Sequence, residues 1–439
     1  MSTKTMERQG LWQNWARTEQ VRPTEVVSPG SIDDLAQVVS QARAERRRVK
    51  PVGAGHSFTG IAVAPDIQVS LEQLRGLVSA DALTGEVTLR AGTHLFEIPD
   101  LLAPYGLAMT NLGDVDRQTI AGATSTGTHG TGREFGGIAT QITGVRFIDG
   151  TGNDVHITAG DPRLAGAALG LGALGVLTEI TLRCVPAFKM RAVEEPSTFE
   201  ESVSRFADNV DATDHHEFYW FPHTDVTLTK FNTRLSLDEP DTGPSAVRRW
   251  VDDELLANKL FGAVCALQSR VPSVTPALNQ VSARALSARQ YVAPAHEVLI
   301  SSRNVRFREM EYAVALEAVP ETLREIRAMI EQRGHRVSFP IEVRAAAADD
   351  LMVSTASGRA SGYIAVHRYV GDRPDSYFDD VEAIMVAHEG RPHWGKLHTR
   401  DAAYFARVYP RFGEFLALRD QFDPDRVFAN DYLTRVLGE

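Results

Sequence analysis

The sequence predicts an α+β protein with two structural domains, the second built on a large antiparallel sheet. Two observations carry this. First, 439 residues exceed what one hydrophobic core usually organises. Second, the texture changes near Pro186: short alternating strands and Gly-rich turns precede it, and longer strands with one long amphipathic helix follow. The expected division is 11–186, then 187–400, with 401–439 returning to the first domain.

Taken in order, Glu25-Val26-Val27-Ser28 reads as a strand and Pro29-Gly30 as a turn. Ser31 is a helix N-cap, and Ile32, Leu35, Val38 and Val39 keep helical spacing to about Arg46. Ile67 to Leu71 and Glu86 to Arg90 alternate as strands, and a helix is expected from Leu95 to Leu102. Val145 to Ile148 runs into Asp149-Gly150, a hairpin signal, and Asp154 to Thr158 returns. Leu164 to Ala168 is a short helix. In the second half, Val298–Ile300, Val337–Val343 and Tyr363–Arg368 read as strands, and Glu321 to Arg333 as a helix that Gly334 terminates. The segment 238–290, with a helical run from Ala246 to Gln268, reads as an insertion or lid. Ala402 through Leu418 is read as helical.

Composition excludes several classes. A hydrophobic fraction of 43% with 23% charged residues is that of an ordinary globular chain. The net charge of −11 argues against a nucleic-acid surface or attraction to acidic membranes. The basic group Arg46, Arg47, Arg48 and Lys50 is read as the solvated end of the preceding helix. Cys184 and Cys265 alone build neither a disulfide framework nor a zinc site, so no metal is expected and a reducing cytoplasm is the expected compartment. No stretch reaches the roughly 18 uninterrupted apolar residues of a membrane span, and no signal peptide is read at the polar N-terminus.

Three glycine-rich elements carry the chemistry. Val52-Gly53-Ala54-Gly55-His56-Ser57-Phe58 follows a short strand. Its glycines let backbone N–H groups converge on an anion, and His56 beside such a nest suits a nucleophile. Ile120 to Gly132 concentrates glycines and hydroxyls and reads as a loop lying flat against a large polar planar ligand. Gly172 to Glu179 is a tight turn feeding a strand. None fits the G-x-G-x-x-G dinucleotide fingerprint, and no phosphate-binding G-K-[ST] loop is present. Further on, Glu342 and Arg344 alternate along a strand and share a face, an acceptor and a guanidinium fork suited to neighbouring substrate oxygens. His367 lies on another strand. Pro392-His393-Trp394-Gly395-Lys396 offers an ammonium suited to stabilising a developing alkoxide.

The three glycine elements, in this order and spacing, resemble the FAD-binding domain of the vanillyl-alcohol-oxidase superfamily. With Glu342-Val343-Arg344 and His393-Trp394-Gly395-Lys396, the chain is similar to its aldonolactone and alditol oxidase branch from about Trp15 to Leu437. The resemblance implies FAD joined covalently through its 8α-methyl group to His56, with Gly53, Ala54, Gly55 and Ser57 around the pyrophosphate. It places Gly113, Gly122, Ala123, Thr126, Gly127, Thr128, His129, Gly130 and Thr131 along the flavin, with Val176 and His393 also at the cofactor. Glu342, Arg344, His367 and Lys396 then surround a small polyhydroxylated substrate. The implied reaction is hydride transfer from a carbinol carbon to flavin N5, with His367 or Lys396 drawing off the hydroxyl proton and O₂ or another acceptor reoxidising the flavin. A sugar 1,4-lactone is the expected substrate and an alditol the alternative. Alditol oxidases carry a serine where this chain has Ala123, which counts against the alditol.

Overall fold

The computed structural model describes residues 10–243, 259–301 and 305–439. Three sheets of three or more strands organise them, beside two short two-stranded pairs. The smallest is parallel, with Ile67–Ser70 between Glu25–Val27 and Val49–Val52. Its crossover is the helix Ile32–Ala44, started as predicted by Ser31, whose hydroxyl accepts the Asp34 N–H at 3.0 Å. The helix buries Leu35, Val39 and Ala42 against this sheet's core. The basic group after it divides, contrary to the single solvated cluster predicted. Arg46 is exposed, but Lys50 lies within the strand and is 1% exposed. Its Nζ donates to the carbonyls of Gly172 (3.0 Å) and Phe428 (3.1 Å), and burial, partly countered by Asp423, lowers its pKa to about 7.

A five-stranded antiparallel sheet follows, in the order 154–158, 142–149, 175–183, 86–90, 77–81. The predicted hairpin across Asp149-Gly150 is its edge. Gly175 opens the central strand where a Cβ would stand 2.4 Å from Phe147 and 2.6 Å from the Ile148 carbonyl, so only glycine permits this approach. The chain's last helices pack into the same core: Phe405, Phe415, Leu433 and Val436 join Phe147, Ile180 and Ile120.

The largest sheet has eight strands in the order 289–294, 189–198, 226–235, 215–220, 341–346, 361–369, 307–315, 391–392, all antiparallel. The helix Val319–Arg333 lays Val319, Leu323, Ile326 and Ile330 into the core on one face, and Gly334 ends it at φ 69° as expected. The opposite face holds charged side chains.

Four sequence expectations need correction. Val298 and Leu299 belong to a helix, Ala295–Leu299, begun after Pro294; a short apolar run does not distinguish strand from helix. The strand expected from Val337 starts at Ile341, because Pro340 has no N–H for the ladder. Ala402–Val408 and Phe412–Phe422 are separate helices, since Pro410 forces Tyr409 into the extended region. The second glycine block is half helical: Ile120–Thr126 forms a helix capped by the Thr119 hydroxyl (Gly122 N–H, 3.2 Å) and closed by Gly127 at φ 78°. Of the expected helical run Ala246–Gln268, residues 246–258 lie outside the described residues, and Phe261–Arg270 is a helix.

Candidate active site

The strand Val49–Val52 delivers the chain into the turn Gly53–Ser57, where Gly55 has φ 68°. Among the described residues, none of the five consecutive backbone N–H groups from Gly53 to Ser57 has an acceptor. Consecutive backbone N–H groups without acceptors in a glycine turn can form an anion nest. The turn interlocks with the second block, because a Cβ on Gly53 would lie 2.5 Å from the Thr119 hydroxyl. His56 stacks on Trp15 (centroids 5.9 Å apart). Burial, then the Lys396 charge, depresses its pKa to about 4, so at neutral pH the imidazole keeps a lone pair.

Two adjoining cavities, about 340 and about 640 Å³, share His56, Ser57, Gln118 and Thr126. The smaller runs between the nest, Gly122 and the Gly172–Gly175 turn. The free backbone donors and the glycine walls fit the pyrophosphate and flanking groups of FAD.

The larger cavity opens onto the charged face of the eight-stranded sheet. On the strand Phe307–Ala315, Glu309 and Glu311 alternate toward it. Glu309 takes the Lys396 ammonium, which also sits 5.2 Å over the Phe58 ring. Burial works against the ammonium, but Glu309 and Glu311 prevail and its pKa is raised. Glu311 lies 3.3 Å from His129 Nε2, while His129 Nδ1 donates to the Gly130 carbonyl at 2.9 Å. Arg344 is 6% exposed and meets Asp114 (3.2 Å), Glu217 (3.2 Å) and Glu342. Burial alone would lower its pKa; Glu342, Asp114 and Glu217 hold it well above the ordinary value.

The His393–Lys396 turn is fixed from both sides. His393 N–H donates to the Glu311 carbonyl (3.0 Å), and Gly395 accepts the Phe58 N–H (2.6 Å). Trp394 is core packing: fully buried, its indole donates to the Val353 carbonyl at 2.8 Å. His393 Nδ1 accepts the Gly395 N–H (3.0 Å), so its own proton sits on Nε2; burial holds its pKa at about 3. His129, Glu311 and His393 stand close enough to hold a cation. His129 Nε2 and Glu311 face each other at 3.3 Å, and His393, whose Nδ1 is taken by the Gly395 N–H, has no free lone pair to offer an ion.

Of the residues singled out in the sequence, the structure brings His56, Ser57, Thr126, Thr128, His129, Arg344, His393 and Lys396 to the larger cavity, and Gly53, Ala54, Gly55 and Gly122 to the smaller. Glu342 stands behind Arg344. His367 is also set back, behind Glu309: its Nδ1 donates to the Pro340 carbonyl (3.0 Å) and its Nε2 lies 3.5 Å from Glu309. Ala123 and Val176 are buried in the apolar cores rather than on a cavity wall. Sequence reasoning missed Glu309, Glu311, Asp114 and Glu217. The alternation Glu309-Met310-Glu311 was the signal for the first two.

A turn of free backbone N–H groups beside a charged cavity is compatible with the flavin-dependent oxidoreductase that the sequence resembles, and the comparisons show that class. The FAD binding domain family matches residues 23–158, and the D-arabinono-1,4-lactone oxidase family matches residues 180–436. The L-gulono-1,4-lactone dehydrogenase of Mycobacterium tuberculosis is 40% identical over 98% of this chain and 99% of its own. The L-gulonolactone oxidase of Bos taurus is 29% identical over 97% and 98%. A solvent-stable cholesterol oxidase and the His121Ala mutant of the Brevibacterium sterolicum enzyme share the fold, with TM-scores of 0.83 and 0.81 at 18% identity; each alignment covers 98% of this chain, and 98% and 97% of theirs. The chain belongs to the D-arabinono-1,4-lactone oxidase family and is an FAD-dependent oxidoreductase acting on CH–OH donors.

Proposed function

We propose that this protein oxidises a carbinol of an aldono-1,4-lactone of the L-gulono, L-galactono or D-arabinono type. One observation carries the reading: the nest-bearing turn with His56 and the sheet face with Arg344 and Lys396 open onto one cavity. The relatives are named for lactones, and the alditol alternative is not favoured.

FAD, when bound, accepts the two electrons of the oxidation. Gly53 to Ser57 would hold its pyrophosphate, Gly122, Thr126, Thr128 and His129, which line the two cavities, would border the ring, and neutral His56 would be the point of covalent attachment. Residues 11–186 and 401–439 form the cofactor unit and 187–400 the substrate unit. Arg344, braced from behind by Glu342, positions substrate oxygens. Lys396, held as an ammonium by Glu309, stabilises negative charge growing on the reacting oxygen. An ammonium has no lone pair, which leaves His367 as proton acceptor: its Nδ1 donates to Pro340, so Nε2 is open and reached through Glu309. A cytoplasmic location, with O₂ or another acceptor closing the cycle, completes the reading.

The test is anaerobic flavin reduction across fresh aldonolactones and polyols. Rapid bleaching by lactones is expected; bleaching by polyols alone overturns the lactone assignment.

A further inference from the structure

Lys50 is a buried cation that, among the described residues, has no ion pair. Its ammonium gives two of its three N–H groups to the Gly172 and Phe428 carbonyls, at 3.0 and 3.1 Å. Two charged groups act on it, and they oppose each other: Asp423 favours the ammonium and Arg419 disfavours it. Asp423 directs its own oxygens elsewhere, to the Val427 N–H (2.7 Å) and the Phe428 N–H (2.9 Å). Carbonyl dipoles solvate a cation without neutralising it, and a buried charge ordinarily has a counter-ion. Lys50 stands on the strand Val49–Val52, three residues before Gly53, and lines the smaller cavity together with Gly53 to Ser57 and Gly172. One ammonium thus joins the strand into the first glycine turn, the third glycine turn and the C-terminal segment.

We propose that Lys50 is the buried counter-charge of the cofactor's pyrophosphate: the dianion fixes a proton on Nζ, so cofactor capture above neutral pH takes a proton up from solvent. The proposal rests on the FAD reading above and deepens it. Without the anion, burial leaves the amine with a pKa of about 7, so it is close to half neutral at pH 7. Three residues of strand span about 10 Å. Two negative charges at about that distance, with an effective dielectric near 20, keep the ammonium charged through roughly a further hundredfold fall in proton concentration. Above pH 7 the proton must therefore be supplied on binding, and affinity falls as pH rises. Well below pH 7 the amine is already charged and this dependence disappears.

The experiment uses the full chain carrying His56→Ala, freed of flavin, with two probes. ADP-ribose carries a pyrophosphate diester that stays ionised throughout, and adenosine carries no charge. Titration calorimetry at pH 6, 7 and 8, in buffers of different ionisation heat, reads affinity and proton uptake together. With Lys50 present, ADP-ribose should bind about fivefold more weakly at pH 8 than at pH 7 and take up more than about half a proton at pH 8. Adenosine should do neither. Lys50→Met should abolish both effects and weaken ADP-ribose about tenfold or more at pH 6, with adenosine affinity kept. Glu72 and His94 share the cavity wall, and the Lys50→Met comparison cancels their contribution. Removing an unpaired buried ammonium should leave the melting temperature of the flavin-free protein unchanged or higher. A misfolded variant would lose adenosine as well, and the pH dependence of the Lys50 protein then decides alone. ADP-ribose affinity that is flat from pH 7 to 8, or a dependence that survives in Lys50→Met, overturns the counter-charge and leaves the FAD reading standing. If neither probe binds, the placement of the pyrophosphate fails and the counter-charge falls with it.

Discussion

Replacing Lys396 by Met separates two functions that one ammonium serves. In the folded protein it neutralises Glu309, itself 4% exposed, and faces Glu311, which is 5% exposed. Two unit charges about 4 Å apart at an effective dielectric near 20 interact by about 4 kcal/mol. Breaking a buried pair by removing one partner costs about 3–5 kcal/mol. Lys396→Met should therefore destabilise the protein by about that amount, and Glu309→Gln added to it should recover most of the loss. The rate should behave differently. Loss of a preorganised charge aimed at a developing oxyanion costs on the order of 10²–10³ in rate. We expect the limiting rate constant of anaerobic flavin reduction to fall at least about tenfold in Lys396→Met, with covalent flavin retained and without rescue by Glu309→Gln. Stopped-flow reduction and urea denaturation of the four members of this cycle measure both quantities. Recovery of the rate in the double variant would make Lys396 a counter-ion only. An unchanged limiting rate with raised KM would make it a binding residue.

Acid-denatured, precipitated protein should stay yellow, and His56→Ala should release the flavin on denaturation; wash-out from the wild type would refute the covalent link. Arg344→Lys keeps the charge but not the fork that meets Glu217 through Nε and Glu342 through Nη2, so kcat/KM should fall about tenfold or more, and a normal value would rule out its positioning role. Burial holds His215, His216 and His223 at pKa values of about 4, and His393 at about 3, each below the ordinary 6.5. The unfolded chain therefore binds more protons between pH 6.5 and those values, and stability present above 6.5 is lost as pH falls. Each histidine contributes roughly 1.4 kcal/mol per pH unit across that window. A melting temperature that is flat from pH 7 to 5 would contradict this.

The sequence made the cofactor side legible because its signals are local. Gly53, Gly55 and His56 sit within four residues, and Ser31 and Gly334 mark helix ends through their own backbone chemistry. The substrate side was half legible. Glu342 and Arg344 share a face by period two, but their partners Asp114 and Glu217 come from distant segments that only sheet order and register bring near. His367 was placed on the right strand. Its separation from the cavity by Glu309 depends on the pairing Glu309↔His367 between two strands, which a single sequence does not reveal. Prolines were the neglected signal: Pro294, Pro340 and Pro410 account for three of the four corrections.

The last residues of the chain finish the first sheet. Val427 accepts the Val49 N–H at 2.8 Å, Phe428 accepts from Lys50, and Asn430 donates to the carbonyls of Gly60 and Val63 at 2.9 Å each. During synthesis, the strand that leads into His56 therefore waits almost the whole length of the chain for its final partners. Contacts of such long sequence separation form slowly and late. The nest can set only after residues 427–430 have left the ribosome, so cofactor capture follows the synthesis of that segment. A product truncated before Val427 would leave the Lys50 amine without its Phe428 acceptor beneath a half-made binding site, and it should fail to hold flavin.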